Sequence, residues 1–138
     1  MNRLFADYPF INLRGAMLLL RLTTPILFMA HAVVRIAKNT IPNFAIFMQD
    51  QGFPYPTAWV WAITVAELIA GCLILLNYQV RWAASVLFTI AAVGIALIHR
   101  NLGWFVGEHG VGGSEYSVAL MVMLVVLAAA DRDKASAT

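Results

Sequence analysis

The sequence predicts an all-α fold, a polytopic four-helix bundle embedded in a membrane. Of its 138 residues, 62% are hydrophobic and 12% are charged, whereas an ordinary soluble domain carries roughly 25% charged residues. The apolar residues fill whole stretches of about 20 residues, the length of helix that crosses a hydrocarbon core of about 30 Å. A soluble chain of this size could not bury so much apolar surface in one core.

Four hydrophobic segments are predicted to be transmembrane spans. They cover about residues 14–34, 57–76, 82–98 and 115–130, and residues 1–138 are assigned to a single transmembrane domain with two longer loops on its outer side. The short connection at 77–81 makes the second and third spans an antiparallel pair. In the longer connection at 35–56, the segment Phe44–Phe47 is suited to a short amphipathic helix at the interface. Prolines at the end of that connection stop a continuing helix.

The distribution of basic residues predicts the orientation. With both termini inside, five basic residues are cytoplasmic: Arg3, Arg14, Arg81, Arg132 and Lys134. Three then face outwards: Arg35, Lys38 and Arg100. Because the cytoplasmic side carries the excess of Lys and Arg, both termini are expected in the cytoplasm. The chain has nine Lys+Arg and seven Asp+Glu, so its charge is nearly balanced, and its basic residues form no stripe. A nucleic-acid partner is therefore not expected.

Ionisable residues within the spans are the candidates for a functional site, because each costs at least about 2.5–3.5 kcal/mol at the centre of a span. Helical phase groups them into one polar stripe on each of the first three spans. The stripes are Arg14, Arg21, Thr24, Phe28, His31 and Arg35; Thr64, Glu67 and Gly71; and Arg81, Ser85, Ala92 and His99. We expect the three stripes to meet inside the bundle.

The depth of these residues predicts how they combine. A rise of about 1.5 Å per residue places Arg21 and Glu67 near the midplane, where we expect an ion pair. His31 and His99 lie roughly 10 Å towards the outer side, and Glu115 opens the fourth span at a similar level. We therefore predict an inward-facing pocket. It is lined by the candidate catalytic residues His31, Glu67, His99 and Glu115. Alternatives stay open: a purely structural ion pair, histidines that satisfy local hydrogen bonds, and a Glu115 that only favours the helix dipole.

Cys72 is the only cysteine. It therefore excludes an internal disulfide, a CxxC redox pair and a cysteine-rich metal site. No metal ligands are assigned, and Cys72 itself is expected to be buried and inert.

A series of motifs follows in order along the chain. They are His31 late in the first span, the stretch Phe44–Pro56 ending in GFPYP, AELIAG at Ala66–Gly71, Arg81 before the third span, His99 at its end, and GGSEY at Gly112–Tyr116. This ordered set resembles the DoxX family of small four-helix bacterial membrane proteins over about residues 14–131. One departure is Ala32, where the family usually has a glycine after the first-span histidine.

The resemblance implies a membrane subunit of a redox system, quinone-linked, in the bacterial cytoplasmic (inner) membrane. Quinone would be the cofactor, bound by Arg21, His31, Arg81 and His99, and a soluble or membrane oxidoreductase subunit would be the partner. Histidine and glutamate suit this role because quinone reduction needs a proton source. Since the sequence contains no complete redox centre, activity of the chain alone is not expected.

Two other functions stay open at this point. Two histidines from different helices could ligate haem b, or a metal ion with a carboxylate, in an electron-transfer protein. A non-catalytic assembly or transport helper is the other alternative. A second copy of the chain is an open partner in every case, beside the lipid bilayer.

Overall fold

The chain folds into α-helices. A computed structural model describes residues 11–98, 103–105 and 113–136, with side chains described as far as residue 132. The described residues form five helices: α1 Leu13–Ala37, α2 Ile41–Asp50, α3 Pro56–Leu75, α4 Val80–Leu97 and α5 Glu115–Ser136. The all-α prediction is confirmed, each predicted span corresponds to a long helix, and the segment Phe44–Phe47 lies within α2.

Local sequence explains where the helices begin. The amide of Gly15 donates to the Asn12 side chain over 2.8 Å, which caps α1. Pro56 is the first residue of α3, where the missing N–H of proline would have no helical acceptor. The residues before α3 and α4, Tyr55 and Gln79, adopt the left-handed conformation with φ of 53° and 49°. These turns reverse the chain between packed helices.

Four helices pack as a ring in the order α1, α3, α4, α5. α4 and α5 share the most extensive contact, whereas α5 closes the ring against α1 through a much smaller one. The core contains Phe28, Ile74, Leu87 and Leu124. α2 lies over the first half of α3, where Ile41, Ala45, Met48 and Val60 form a second core cluster. We call this the α2 end, and the opposite end, where α1 begins and α5 finishes, the termini end.

Three helices, α1, α3 and α4, are long and apolar enough to cross a membrane. The chain is therefore a multi-pass membrane protein. α5 is not among the three, because its uncharged run from Tyr116 to Ala130 is flanked by Glu115 and Asp131 and is only about 22 Å long at 1.5 Å per residue. The predicted fourth crossing stays a prediction, although α5 packs along α4 within the same bundle.

α1 and α3 approach each other closely at Gly71. A Cβ atom at Gly71 would lie 2.6 Å from the Met29 sulfur and 3.6 Å from the Pro25 carbonyl oxygen. Since the two helices are antiparallel, residues after Met29 on α1 meet residues before Gly71 on α3. Arg35 is thereby level with Thr64 and Glu67, to which its side chain bonds.

Two residues of the polar stripe expected on the third span, Arg81 and Ser85, do not face the bundle. Arg81, Ser85 and Thr89 of α4 are exposed, and the buried face carries Ala84 and Leu87 among others. The hydroxyls of Ser85 and Thr89 each donate to the carbonyl four residues earlier, over 2.9 Å. A hydroxyl satisfied by its own helix can face lipid. The inward direction predicted for Arg81 and Ser85 was therefore wrong, whereas Ala92 is half-buried and His99 lies outside the described residues. Cys72, expected to be buried, is exposed.

Candidate functional site

A buried ion pair joins α1 to α3 near the α2 end. Arg35 donates from one terminal nitrogen to the Glu67 carboxylate over 2.8 Å, and the side chains are 14% and 6% exposed, respectively. The same nitrogen lies 2.7 Å from the Thr64 hydroxyl. A buried carboxylate needs such partners because an isolated charge in apolar surroundings is very costly. Glu67 was predicted as a site residue, and the structure supplies its partner.

Two further side chains complete this cluster. The Thr64 hydroxyl accepts from Arg35 and donates to the Val60 carbonyl over 2.7 Å, so its hydrogen-bonding capacity is used in both directions. The Phe44 ring of α2 lies 5.3 Å from the guanidinium carbon of Arg35, in the range of a cation–π contact. We call these four residues, Arg35, Phe44, Thr64 and Glu67, the Arg35 cluster. It ties α2 to the α1–α3 pair.

His31 lies on α1 one turn before Arg35. Its imidazole is within electrostatic range of Glu67. The side chain is nevertheless exposed on the helix surface, whereas the sequence predicted that it would be enclosed. The arrangement therefore combines a buried carboxylate bonded to Arg35 with an exposed imidazole within its electrostatic range. Groups that can accept and release a proton thus lie both inside the bundle and on its surface.

The predicted ion pair between Arg21 and Glu67 is wrong. Arg21 donates to the Asn77 side chain over 2.6 Å, in the turn between α3 and α4 at the termini end. Arg35, expected at the outer-side end of the same stripe, is the partner of Glu67 in the structure. It shares the helical face of Arg21 and His31, so the helical phase read from the sequence correctly predicted which face of α1 meets α3. The error came from the depth, because the register at Gly71 shifts α1 along α3.

Among the described residues, no contact joins the other predicted site residues to the Arg35 cluster. Arg81 lies at the start of α4, at the termini end, with its guanidinium carbon 5.9 Å from the Trp82 ring centre. Glu115 opens α5 and its amide donates to the Trp104 carbonyl over 3.1 Å. His99 falls outside the described residues, so the prediction that it faces His31 stays a prediction.

A metal centre does not form in the part of the chain that the structure describes. No three side chains among its His, Cys, Asp and Glu residues come together as metal ligands. The only described histidine, His31, is exposed, and the carboxylate within its electrostatic range is already bonded to Arg35. A haem with His99 as its second ligand involves a residue outside the described ranges.

Comparison with known proteins identifies the family. Residues 16–100 match the model of the DoxX family, a stretch that includes α2, α3, α4 and the whole Arg35 cluster. The chain therefore belongs to the DoxX family, as its motifs indicated. No curated protein and no solved structure matches the chain significantly.

Proposed function

We propose that this DoxX-family chain is the membrane subunit of a redox system and exchanges protons with a quinone beside the Arg35 cluster. One observation carries the proposal: a carboxylate and a guanidinium are buried together between apolar helices, and the exposed imidazole of His31 lies one helical turn before that arginine, within electrostatic range of the carboxylate. An ionisable residue within a transmembrane helix is a functional-site hypothesis by default. The redox role implied by the family supports the same conclusion.

The position of His31 suits a ligand that arrives through the bilayer. Its imidazole is exposed on α1 among exposed apolar side chains such as Leu27, Val33 and Val34. A quinone head dissolved in lipid can therefore reach it laterally, without entering the bundle. Imidazole is the side chain best suited to passing protons at neutral pH. His31 would bond a quinone carbonyl or a quinol hydroxyl directly.

Glu67 and Arg35 would assist this proton exchange from the interior of the bundle, without touching the quinone. Oxidation of a quinol releases two electrons and two protons; we assign the electrons to a partner oxidoreductase subunit and the protons, one after the other, to His31, which releases each to water at the membrane surface. An imidazole that has accepted a proton is stabilised by a neighbouring carboxylate. Arg35 holds that carboxylate in place through its bonds to Glu67 and Thr64. On this proposal His31 touches the quinone, and Glu67 and Arg35 position it.

Photolabelling tests the proposal. The full chain in lipid nanodiscs is irradiated with an azido-quinone, and the labelled peptides are identified by mass spectrometry. We expect saturable labelling of α1 and α2 around His31 and at least a tenfold weaker apparent affinity in His31→Ala. Val33→Ala, which shortens an exposed side chain on the same helix, is the matched control. Unsaturable labelling, or equal affinity of the His31 variant, would contradict the proposal and favour an assembly helper.

A further inference from the structure

A cleft opens at the termini end, on the far side of the bundle from the Arg35 cluster. It lies between the first turns of α1, the last turns of α5 and the α3–α4 turn, with a volume of about 880 Å³. Most of its wall is apolar, including Met17, Leu18, Val80 and Leu127. Cavities of about 300–1,000 Å³ accommodate small-molecule and cofactor-sized ligands. The cleft is therefore large enough for part of an amphiphile.

The polar groups of the cleft favour an anion. Arg14 and Arg21 both line it. The guanidinium of Arg21 makes one hydrogen bond to a described residue, Asn77, and its Nε is buried without a partner among the described residues. The carboxylate in the cleft, Asp131, already accepts from the backbone amide of Arg81 at the start of α4. The described lining of the cleft thus carries two positive charges and one negative charge, a net positive charge.

The position of the cleft favours a lipid over a soluble anion. It lies at the seam between α1 and α5, the least extensive contact in the ring, so it can open sideways to the bilayer. Leu18 lines the cleft and is 47% exposed on the outer surface of α1, which makes the apolar wall continuous with the lipid-facing surface. A lipid acyl chain entering from the membrane would meet apolar side chains along its length, and its headgroup would meet Arg14 in the first turn of α1 and Arg21 two turns later.

We propose that the cleft binds an acidic phospholipid. The headgroup phosphate bonds to Arg14 and Arg21, and the acyl chain lies against Met17, Leu18 and Leu127. Basic pockets between transmembrane helices are suited to anionic headgroups, and guanidinium matches phosphate geometry through paired N–H donors. The lipid would seal the α1–α5 seam. This site is independent of the quinone proposal, since it lies at the opposite end of the bundle.

Lipid-dependent stability provides the test. The full chain is purified in detergent, its bound lipids are identified by native mass spectrometry, and its Tm is measured with added phosphatidylglycerol, phosphatidylcholine or inorganic phosphate. We expect phosphatidylglycerol to copurify and to raise the Tm by several degrees, with little effect of the other two. An equal rise in Tm with phosphatidylcholine would overturn the proposal, because the site would then not distinguish an anionic headgroup from a zwitterionic one. An equal shift with inorganic phosphate would also overturn it, in favour of a soluble-anion site.

Variants locate the effect. Arg14→Gln and Arg21→Gln should each weaken phosphatidylglycerol binding about tenfold or more. Lys38→Gln removes one exposed charge at the α2 end and should leave that binding unchanged. Arg21 is partly buried, so its variant could fold poorly; Arg14 is exposed and keeps the proposal testable. Wild-type lipid affinity in Arg14→Gln, or equal loss in Lys38→Gln, would show that the lipid binds elsewhere.

Discussion

The bond between Arg35 and Glu67 is where single residues have the largest predicted effect. Removing one partner leaves a buried charge without compensation, which typically costs about 3–5 kcal/mol. Glu67→Gln and Arg35→Gln should therefore each lower the Tm of the purified protein substantially. The double variant, which removes both charges, should be less destabilised than the sum of the two single variants.

A parallel cycle on Arg21 and Glu67 is the control for this prediction. These two residues share no contact, since Arg21 bonds to Asn77 and Glu67 bonds to Arg35. Substitutions without shared partners are additive within about 0.3–0.5 kcal/mol. Additivity in the Arg35 cycle, or strong coupling in the Arg21 cycle, would show that the pairing is different from that in the structure.

The candidate site was predictable in part at this scale. The high cost of a charge in a span singled out Glu67, and helical phase placed Thr64 and Gly71 beside it; all three are buried. Arg35 was missed as its partner because depth was judged from the middle of each span. In the structure, Gly71 of α3 packs against Met29 of α1. The sequence of one helix does not show which residue of the other helix it contacts, so the register of α1 against α3 was not predictable.

At the scale of helices, Gly71 provides the sharpest test of packing. Replacing a mid-helix glycine by alanine normally stabilises a helix by about 0.8–1.0 kcal/mol. At Gly71 the added Cβ would lie 2.6 Å from the Met29 sulfur, so α1 and α3 must separate or Met29 must move. We expect Gly71→Ala to lower the Tm, and to weaken the Arg35–Glu67 bond that depends on the same register.

Gly94 is the matched control, because it also lies within a helix and a Cβ there would meet nothing within 4 Å. Gly94→Ala should leave the Tm unchanged or raise it. Thermal unfolding of both variants in the same detergent isolates packing from helix propensity. Similar behaviour of the two variants would mean that Gly71 does not set the register.

Gly113 makes a comparable contact at the start of α5. A Cβ there would lie 2.6 Å from the backbone of Phe105, where amides of Ser114 and Glu115 bond to carbonyls of Gly103 and Trp104. Backbone cannot move aside as a side chain can, so Gly113→Ala should cost about 1–3 kcal/mol, as overpacking does. A Tm equal to that of Gly94→Ala would contradict this contact.

The helices show why periodicity alone has limits. Length and composition predicted every long helix, because a buried backbone in lipid must satisfy its own hydrogen bonds. Helical phase misled us on α4, where Ser85 was expected on an inward stripe but is exposed, as is Thr89 one turn later. Their hydroxyls bond to their own helix, so a polar residue need not face a partner. A sequence does not distinguish these two solutions.

At the scale of the molecule, the number of crossings decides how the chain sits in the membrane. Three helices qualify as spans, which alone would place the two termini on opposite sides. The structure instead brings the beginning of α1 and the end of α5 to the same cleft, lined by both Arg14 and Asp131. If α1, α3 and α4 cross, α5 must cross back to reach that position. Four crossings are therefore the prediction.

Reporter fusions test both the crossings and the orientation. Gly52 lies in the turn between α2 and α3, exposed and with free space around it, and Thr138 ends the chain. We expect alkaline phosphatase to be active at Gly52 and a fluorescent reporter to be active at Thr138, because the basic residues favour termini in the cytoplasm. Active phosphatase at both positions would mean that α5 does not cross. Phosphatase that is active at Thr138 but inactive at Gly52 would keep the four crossings and reverse the orientation. The Arg35 cluster would then lie in the opposite leaflet.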